Sequence, residues 1–184
     1  RRKGRKRMLL LFEMVPQSCK EGARNFVRHS ARCVAIEDGR VAMVYSYKYD
    51  YYKFPGGGIE EGETKLQALV RETQEEAGLL ILPDSIRELG YVHRVEPSDR
   101  VDCDCFVQDN FYYLCRVQRG LASQQLDDYE AEEGYTLEWV EPERAITVNR
   151  TADHGPTNQN MLEREARILE LLRDEGYFSE KRGL

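Results

Sequence analysis

A layered α/β or α+β domain is the fold class this sequence predicts, and three observations carry the prediction. Several short runs of β-branched and aromatic residues are bounded by turn residues; two segments have helical periodicity; and 184 residues suffice for one proper core. The composition, 41% hydrophobic and 33% charged, is that of a soluble globular chain. We find no internal repeat, and no low-complexity segment beyond a basic head.

That head, residues 1–7 (RRKGRKR), has six basic residues, leaving 21 Lys+Arg against 33 Asp+Glu in the remainder. A body so acidic argues against nucleic-acid binding by charge alone, although the head could gather a strand locally. We expect the head to be mobile and residues 8–184 to form a single domain. The apolar run Met8 to Phe12 is too short for a signal-peptide h-region or a membrane span, so no membrane role and a cytoplasmic location are expected. The five cysteines (19, 33, 103, 105 and 115) include no C-x-x-C pair and read as free thiols.

Residues 29–37 and 41–47 read as a hairpin around Asp38-Gly39. A loop runs on to Phe54-Pro55-Gly56-Gly57-Gly58. The next segment, 65–77, is a helix opened by a Thr64/Gln67 capping box and stopped by Gly78. Leu66, Leu69, Val70, Thr73 and Ala77 form its buried stripe. Strands follow near 86–96 and 106–117, then an acidic connector at 122–133 and a strand over 135–140. Residues 149–160 are polar and turn-rich, and 161–172 is the closing helix.

The first helix poses the chemical question. Glu72, Glu75 and Glu76 stand at i, i+3 and i+4, where like charges repel by about 0.2–0.5 kcal/mol per pair. They occupy a sector apart from the apolar stripe, so an exposed acidic face is expected. Clustered hard oxygen donors suit Mg²⁺ or Mn²⁺, which would offset the repulsion. The glycines just before the helix match neither a P-loop, which needs Gly-Lys-Ser/Thr, nor the dinucleotide fingerprint, where Glu61 replaces the last Gly. No G-x-S-x-G is present, and His29, His93 and His154 are far apart in sequence, so serine-triad and histidine–zinc chemistry find no support.

Gly57, Glu63 and the run Arg71-Glu72-Thr73-Gln74-Glu75-Glu76-Ala77-Gly78-Leu79 together resemble the signature of Nudix hydrolases, complete over Gly57–Leu79 except that Thr73 replaces the usual aliphatic residue. Because Thr73 falls on the buried stripe, the departure bears on packing rather than chemistry. The resemblance implies an α/β/α sandwich with a mixed central sheet. It implies Mg²⁺ or Mn²⁺ on Glu72, Glu75 and Glu76 with the Gly56 carbonyl, Arg71 holding Glu72, and Glu63 and Gly57 in support. Glu72 is then the base that orients a water attacking phosphorus, and Glu133, six residues before Trp139, resembles the family's distal glutamate; Asp102 and Asp104 are the alternatives. The implied substrate is a nucleoside diphosphate linked to another moiety. Removal of pyrophosphate from an RNA 5′ end and a non-catalytic nucleotide sensor are the other readings, and a homodimer is a further expectation.

Recognition residues are read from pattern. Tyr45, Tyr47, Tyr49 and Tyr51 alternate at strand period, so Tyr47 is a candidate for base stacking. Lys53, with Lys48, Arg94 and Arg100, is a candidate phosphate contact, and Asn158 with Asn160 a candidate for a base edge.

Overall fold

The computed structural model describes residues 7–19, 22–118 and 122–179, so all of the basic head but Arg7 lies outside the described residues. In chain order the elements are β1 (Leu10–Met14), β2 (Asn25–Val27), β3 (Ser30–Val34), β4 (Ile36–Glu37), β5 (Arg40–Ser46), β6 (Tyr51–Lys53) and β7 (Gly56–Gly58). Then come α1 (Lys65–Ala77), β8 (Leu80–Ile81), β9 (Arg87–Pro97), β10 (Cys105–Leu114) and β11 (Val117–Gln118). The chain continues through α2 (Asp128–Glu133), β12 (Tyr135–Val140), α3 (Pro142–Thr151) and α4 (Gln159–Asp174).

The largest sheet runs β1-β9-β10-β3-β7, with β2 also on β10. It is mixed: β1 lies parallel to β9 and β3 parallel to β10, whereas β9/β10 and β3/β7 are antiparallel. A second sheet joins β12, β5 and β4, with β6 on β5. Strand alternation sorts the apolar residues between two cores. Ala31, Cys33, Ala42, Val44, Phe111 and Tyr113 pack with Leu69 and Ala77 of α1. Val34, Val41, Met43 and Tyr112 pack instead with Ala145 of α3 and with Ala166, Ile168 and Leu169 of α4. Helices therefore cover both sides of the strands, which is the expected α/β/α sandwich.

Several local expectations are corrected. The Met8–Phe12 run contributes β1, a strand along the edge of β9, and the acidic connector contains α2. Residues 149–151 end α3, and α4 begins at Gln159 because Asn158 caps it, accepting from the Met161 amide at 3.1 Å. β5 ends at Ser46, so the tyrosines do not form one stripe: Tyr45 pairs with Tyr52 at 4.9 Å between ring centroids, while Tyr47 sits in the following turn. The thiol reading holds for Cys33, Cys103 and Cys115, but Cys19 and Cys105 form a disulfide that ties the segment after β1 to the start of β10. Among the described residues, no helix is long and apolar enough to cross a membrane.

Candidate functional site

The site grows from the join between β7 and α1. Thr64 and Gln67 form the reciprocal capping box, and Gly78 ends the helix in the left-handed region at φ 67°. The face α1 buries is rotated from the expected one. Ala68, Leu69, Thr73, Glu76 and Ala77 are buried, whereas Leu66 is exposed and Val70 only half-buried. The glutamates are thus not displayed together on an outer face.

Glu76 is only 2% exposed. Its carboxylate meets the Lys53 ammonium at 2.8 Å and accepts from the Gly56 amide at 3.4 Å. Lys53 is accordingly a buried partner of Glu76 and not a free surface cation. Glu72 and Glu75 instead share Arg71: Nη1 reaches Glu72 at 2.7 Å and Glu75 at 3.2 Å. The same guanidinium grips Glu63 with two bonds of 2.8 Å and donates to the Gly58 carbonyl at 3.2 Å. This bidentate grip fixes the guanidinium plane, and through it the Glu72 carboxylate. Gly57 completes the packing, since a Cβ there would come within 2.5 Å of that carboxylate.

Burial raises the Glu72 carboxyl above the usual range, against the pull of Arg71. It pushes Glu76 up to about 7, in spite of Lys53 and Arg32. The folded protein therefore takes up a proton that the unfolded chain binds only near pH 4.5. With its folded value raised, an acidic group makes stability fall as pH rises. In excess chelator, the melting temperature of the wild type should decline between about pH 4.5 and pH 7. Glu76→Gln should flatten that decline. Equal slopes in the two proteins would remove Glu76 as its source.

The distal acidic residues reach the same neighbourhood. Glu133, at the end of α2, accepts from Ser46 Oγ at 2.9 Å and from the Tyr51 hydroxyl at 2.8 Å. Tyr51 shares a 2.7 Å hydrogen bond with Tyr135, over whose ring Lys53 lies at 4.7 Å. A polar chain thus runs from Glu133 to Lys53 and Glu76. Glu130, another acid of the connector from which Glu133 is chosen, is buried, and its charge helps to raise Glu76. Its signal was the capping box Asp127-x-x-Glu130, in which it accepts from the Asp127 amide at 2.9 Å. Asp102 and Asp104 are engaged elsewhere, paired with Arg100 and Arg24.

Apart from Lys53, the expected recognition residues do not gather with the α1 carboxylates. Tyr47 is 80% exposed, beside Gly134. Asn158 and Asn160 donate to Glu96, at 3.0 and 3.3 Å. Arg32, overlooked in the sequence, is the cation behind the glycine loop: its Nη1 donates to the carbonyls of Phe54 at 3.3 Å and Gly56 at 3.2 Å. No spacing rule marks it, because β3 brings it to β7 only through antiparallel pairing with Gly56.

Glu72, Glu75 and Glu76 are hard oxygen donors fit for Mg²⁺ or Mn²⁺. Among the described residues no three acidic, histidine or cysteine groups converge into a ready cage. Lys53 and Arg71 pair with these carboxylates and offset only part of their charge, so a cation binding there would share or displace those partners.

Residues 27–164 match the NUDIX domain family. Two curated relatives named RNA pyrophosphohydrolase are each 32% identical to the chain. The one from Xylella fastidiosa aligns over 111 residues, 56% of this chain and 57% of its own. That from Halorhodospira halophila aligns over 113 residues, 59% of this chain and 62% of its own. The chain thus spans less than two thirds of either relative. A NUDIX hydrolase structure from Nitrosomonas europaea superposes with a TM-score of 0.52 at 18% identity, over 75% of this chain and 87% of that one, a likeness of fold. The family match takes in most of the chain, including the whole glycine–glutamate signature and the α1 carboxylates, and so the chain belongs to the Nudix hydrolase family.

Proposed function

We propose that the protein hydrolyses the diphosphate linkage of a nucleoside diphosphate joined to another moiety, by attack of water on phosphorus. The observation that carries this reading is Arg71 clamped between Glu63 and the Glu72–Glu75 pair, which holds a half-buried carboxylate of raised basicity at the lip of the glycine loop. In this proposal Glu72 accepts the proton of the attacking water, a role suited to a carboxylate whose pKa is raised toward neutrality. Arg71 orients it, Glu63 and Gly57 support it, and Glu133 assists from α2. Glu72, Glu75, Glu76 and the Gly56 carbonyl would hold Mg²⁺ or Mn²⁺, which would supply Lewis-acid polarisation of the phosphoryl oxygens. Of the proposed substrate contacts, Tyr47 is open to solvent, whereas Lys53 must first leave Glu76 and Asn158 must leave Glu96.

A second reading places the diphosphate at the 5′ end of an RNA. The names of the two curated relatives favour it, and RRKGRKR is the segment that would gather the strand.

Turnover should require Mg²⁺ or Mn²⁺ and stop in excess chelator. In isotopically heavy water, one heavy oxygen should enter a single phosphate-bearing product. The assay should compare 5′-triphosphorylated RNA with sugar nucleotides, dinucleoside polyphosphates and nucleoside triphosphates. A trapped phospho-enzyme, preferred hydrolysis of monoesters, or full activity without metal would each defeat the proposal. Higher kcat/KM on RNA, lost on deleting residues 1–7, would select the second reading.

A further inference from the structure

On the opposite face of β3 from α1, the sheet presents an unusual set of cations to α4. Arg32 on β3, Arg94 on β9 and Arg164 on α4 are 8%, 7% and 1% exposed. Shared partners place them together: Gln108, in register with Arg94, receives Arg164, and Tyr112, in register with Arg32, donates to Glu165 beside Arg164. Burial first, then the charges of Arg164 and Arg32, pull the Arg94 guanidinium down to about 10. Buried arginines are ordinarily matched by acceptors, because each unmade bond of a buried donor costs about 1–3 kcal/mol. Here the matching is incomplete. Arg32 Nε, Arg94 Nε and Nη1, Arg164 Nε and Nη2, and Asn110 Nδ2 are all buried without a hydrogen-bond partner.

The nearby acceptors are already engaged. Glu165 takes the Phe54 amide at 3.1 Å and the Tyr112 hydroxyl at 2.7 Å, and lies 3.4 Å from Arg164. Gln108 receives Arg164 Nη1 at 3.5 Å, and Asn110 spends its carbonyl on Ser30 at 2.7 Å. Glu96, at the rim, is held by both oxygens to Asn158, by one to Asn160, and stands 3.5 Å from Arg94. The ion-pair partners of Arg94 and Arg164 are thus two carboxylates, one saturated and the other anchored outward, while the charge of Arg32 also acts on Glu76. Every unpartnered atom is a donor, so the missing complement is rich in acceptors and negative. Arg28 extends the same surface, since its guanidinium lies against Gly58, which pairs with Ser30.

We propose that Arg32, Arg94 and Arg164 together bind a phosphate-type oxyanion, at a site separate from the α1 carboxylates. A tetrahedral oxyanion offers several acceptors to guanidinium forks converging from two strands and a helix. The anion is either free inorganic phosphate or the phosphate group of a nucleotide. Because Arg32 also donates to the Gly56 carbonyl, occupancy bears directly on the glycine loop.

The test is calorimetric titration of the full chain, in excess chelator, with inorganic phosphate and separately with a nucleoside monophosphate. Phosphate should bind and raise the melting temperature. Arg94→Met should weaken binding by about tenfold or more, the loss expected for a charge-assisted contact. Glu96→Gln, which removes a competing carboxylate at the rim, should bind phosphate more tightly than the wild type. Displacement of phosphate by the monophosphate identifies a nucleotide phosphate, and binding of phosphate alone a free anion. Glu72→Gln should bind as the wild type does, so failure of the proposed hydrolysis leaves this site standing. No binding at millimolar phosphate to the wild type or to Glu96→Gln, or undiminished binding by Arg94→Met, overturns it.

Discussion

Glu72→Gln is expected to lower kcat by about 10²–10⁴-fold, the range for removing a general base, with little loss of stability. The two effects separate because Glu72 is not what holds Arg71 in place. The guanidinium keeps its two bonds to Glu63 and its bond to the Gly58 carbonyl, so the loop–helix join survives the change. The lost charge was also disfavoured by burial, and relief from Glu75 offsets part of the lost Arg71 attraction. Steady-state kinetics at saturating Mg²⁺ and thermal melting in chelator measure the two quantities. Turnover within a few-fold of wild type would move the base elsewhere, with Glu133 next to test. A collapsed melting temperature would instead make Glu72 a structural residue.

What the sequence disclosed depended on how local the information was. Helix α1 was readable almost to the residue, because its cap, its stop and its carboxylates lie within one short stretch. The charge partners of the glutamates were legible only in part. Arg71 is adjacent in sequence to Glu72, but Lys53 reaches Glu76 through the packing of α1 against the strands. The exposed acidic face failed for the same reason: an apolar stripe shows that a helix has a buried side, but not how far that side extends. Here the buried sector takes in Glu76 and leaves out Leu66. Non-local pairing also hid the arginine cluster, whose members are spread from β3 to α4. The Cys19–Cys105 disulfide spans 86 residues and has no spacing signature.

Gly56→Ala should be the most damaging single substitution near the site, and Gly57→Ala should differ from it in kind. Gly56 has φ 146°, a conformation open essentially to glycine alone and costing another residue about 1–3 kcal/mol. A Cβ there would also lie 2.1 Å from the Ala31 carbonyl oxygen and 2.9 Å from the Arg32 Cα, both backbone atoms of the paired strand. Neither can move without opening β3 from β7, and with it the Arg32–Gly56 bond and the Cys33 amide's 2.8 Å bond to Pro55. Strain and clash together should exceed about 3 kcal/mol, in the range reserved for special backbone positions and overpacked cores. At Gly57 the φ is ordinary, and the added Cβ meets the Glu72 carboxylate, the far end of a side chain able to rotate away. Gly57→Ala should therefore melt close to the wild type while losing turnover, because the displaced carboxylate no longer keeps its place beside Arg71. Denaturant unfolding and kinetics on both variants decide the matter. A stable, active Gly56→Ala would mean that β7 can leave β3 freely. A Gly57→Ala enzyme with normal kcat would mean that the position of the Glu72 carboxylate does not govern the reaction.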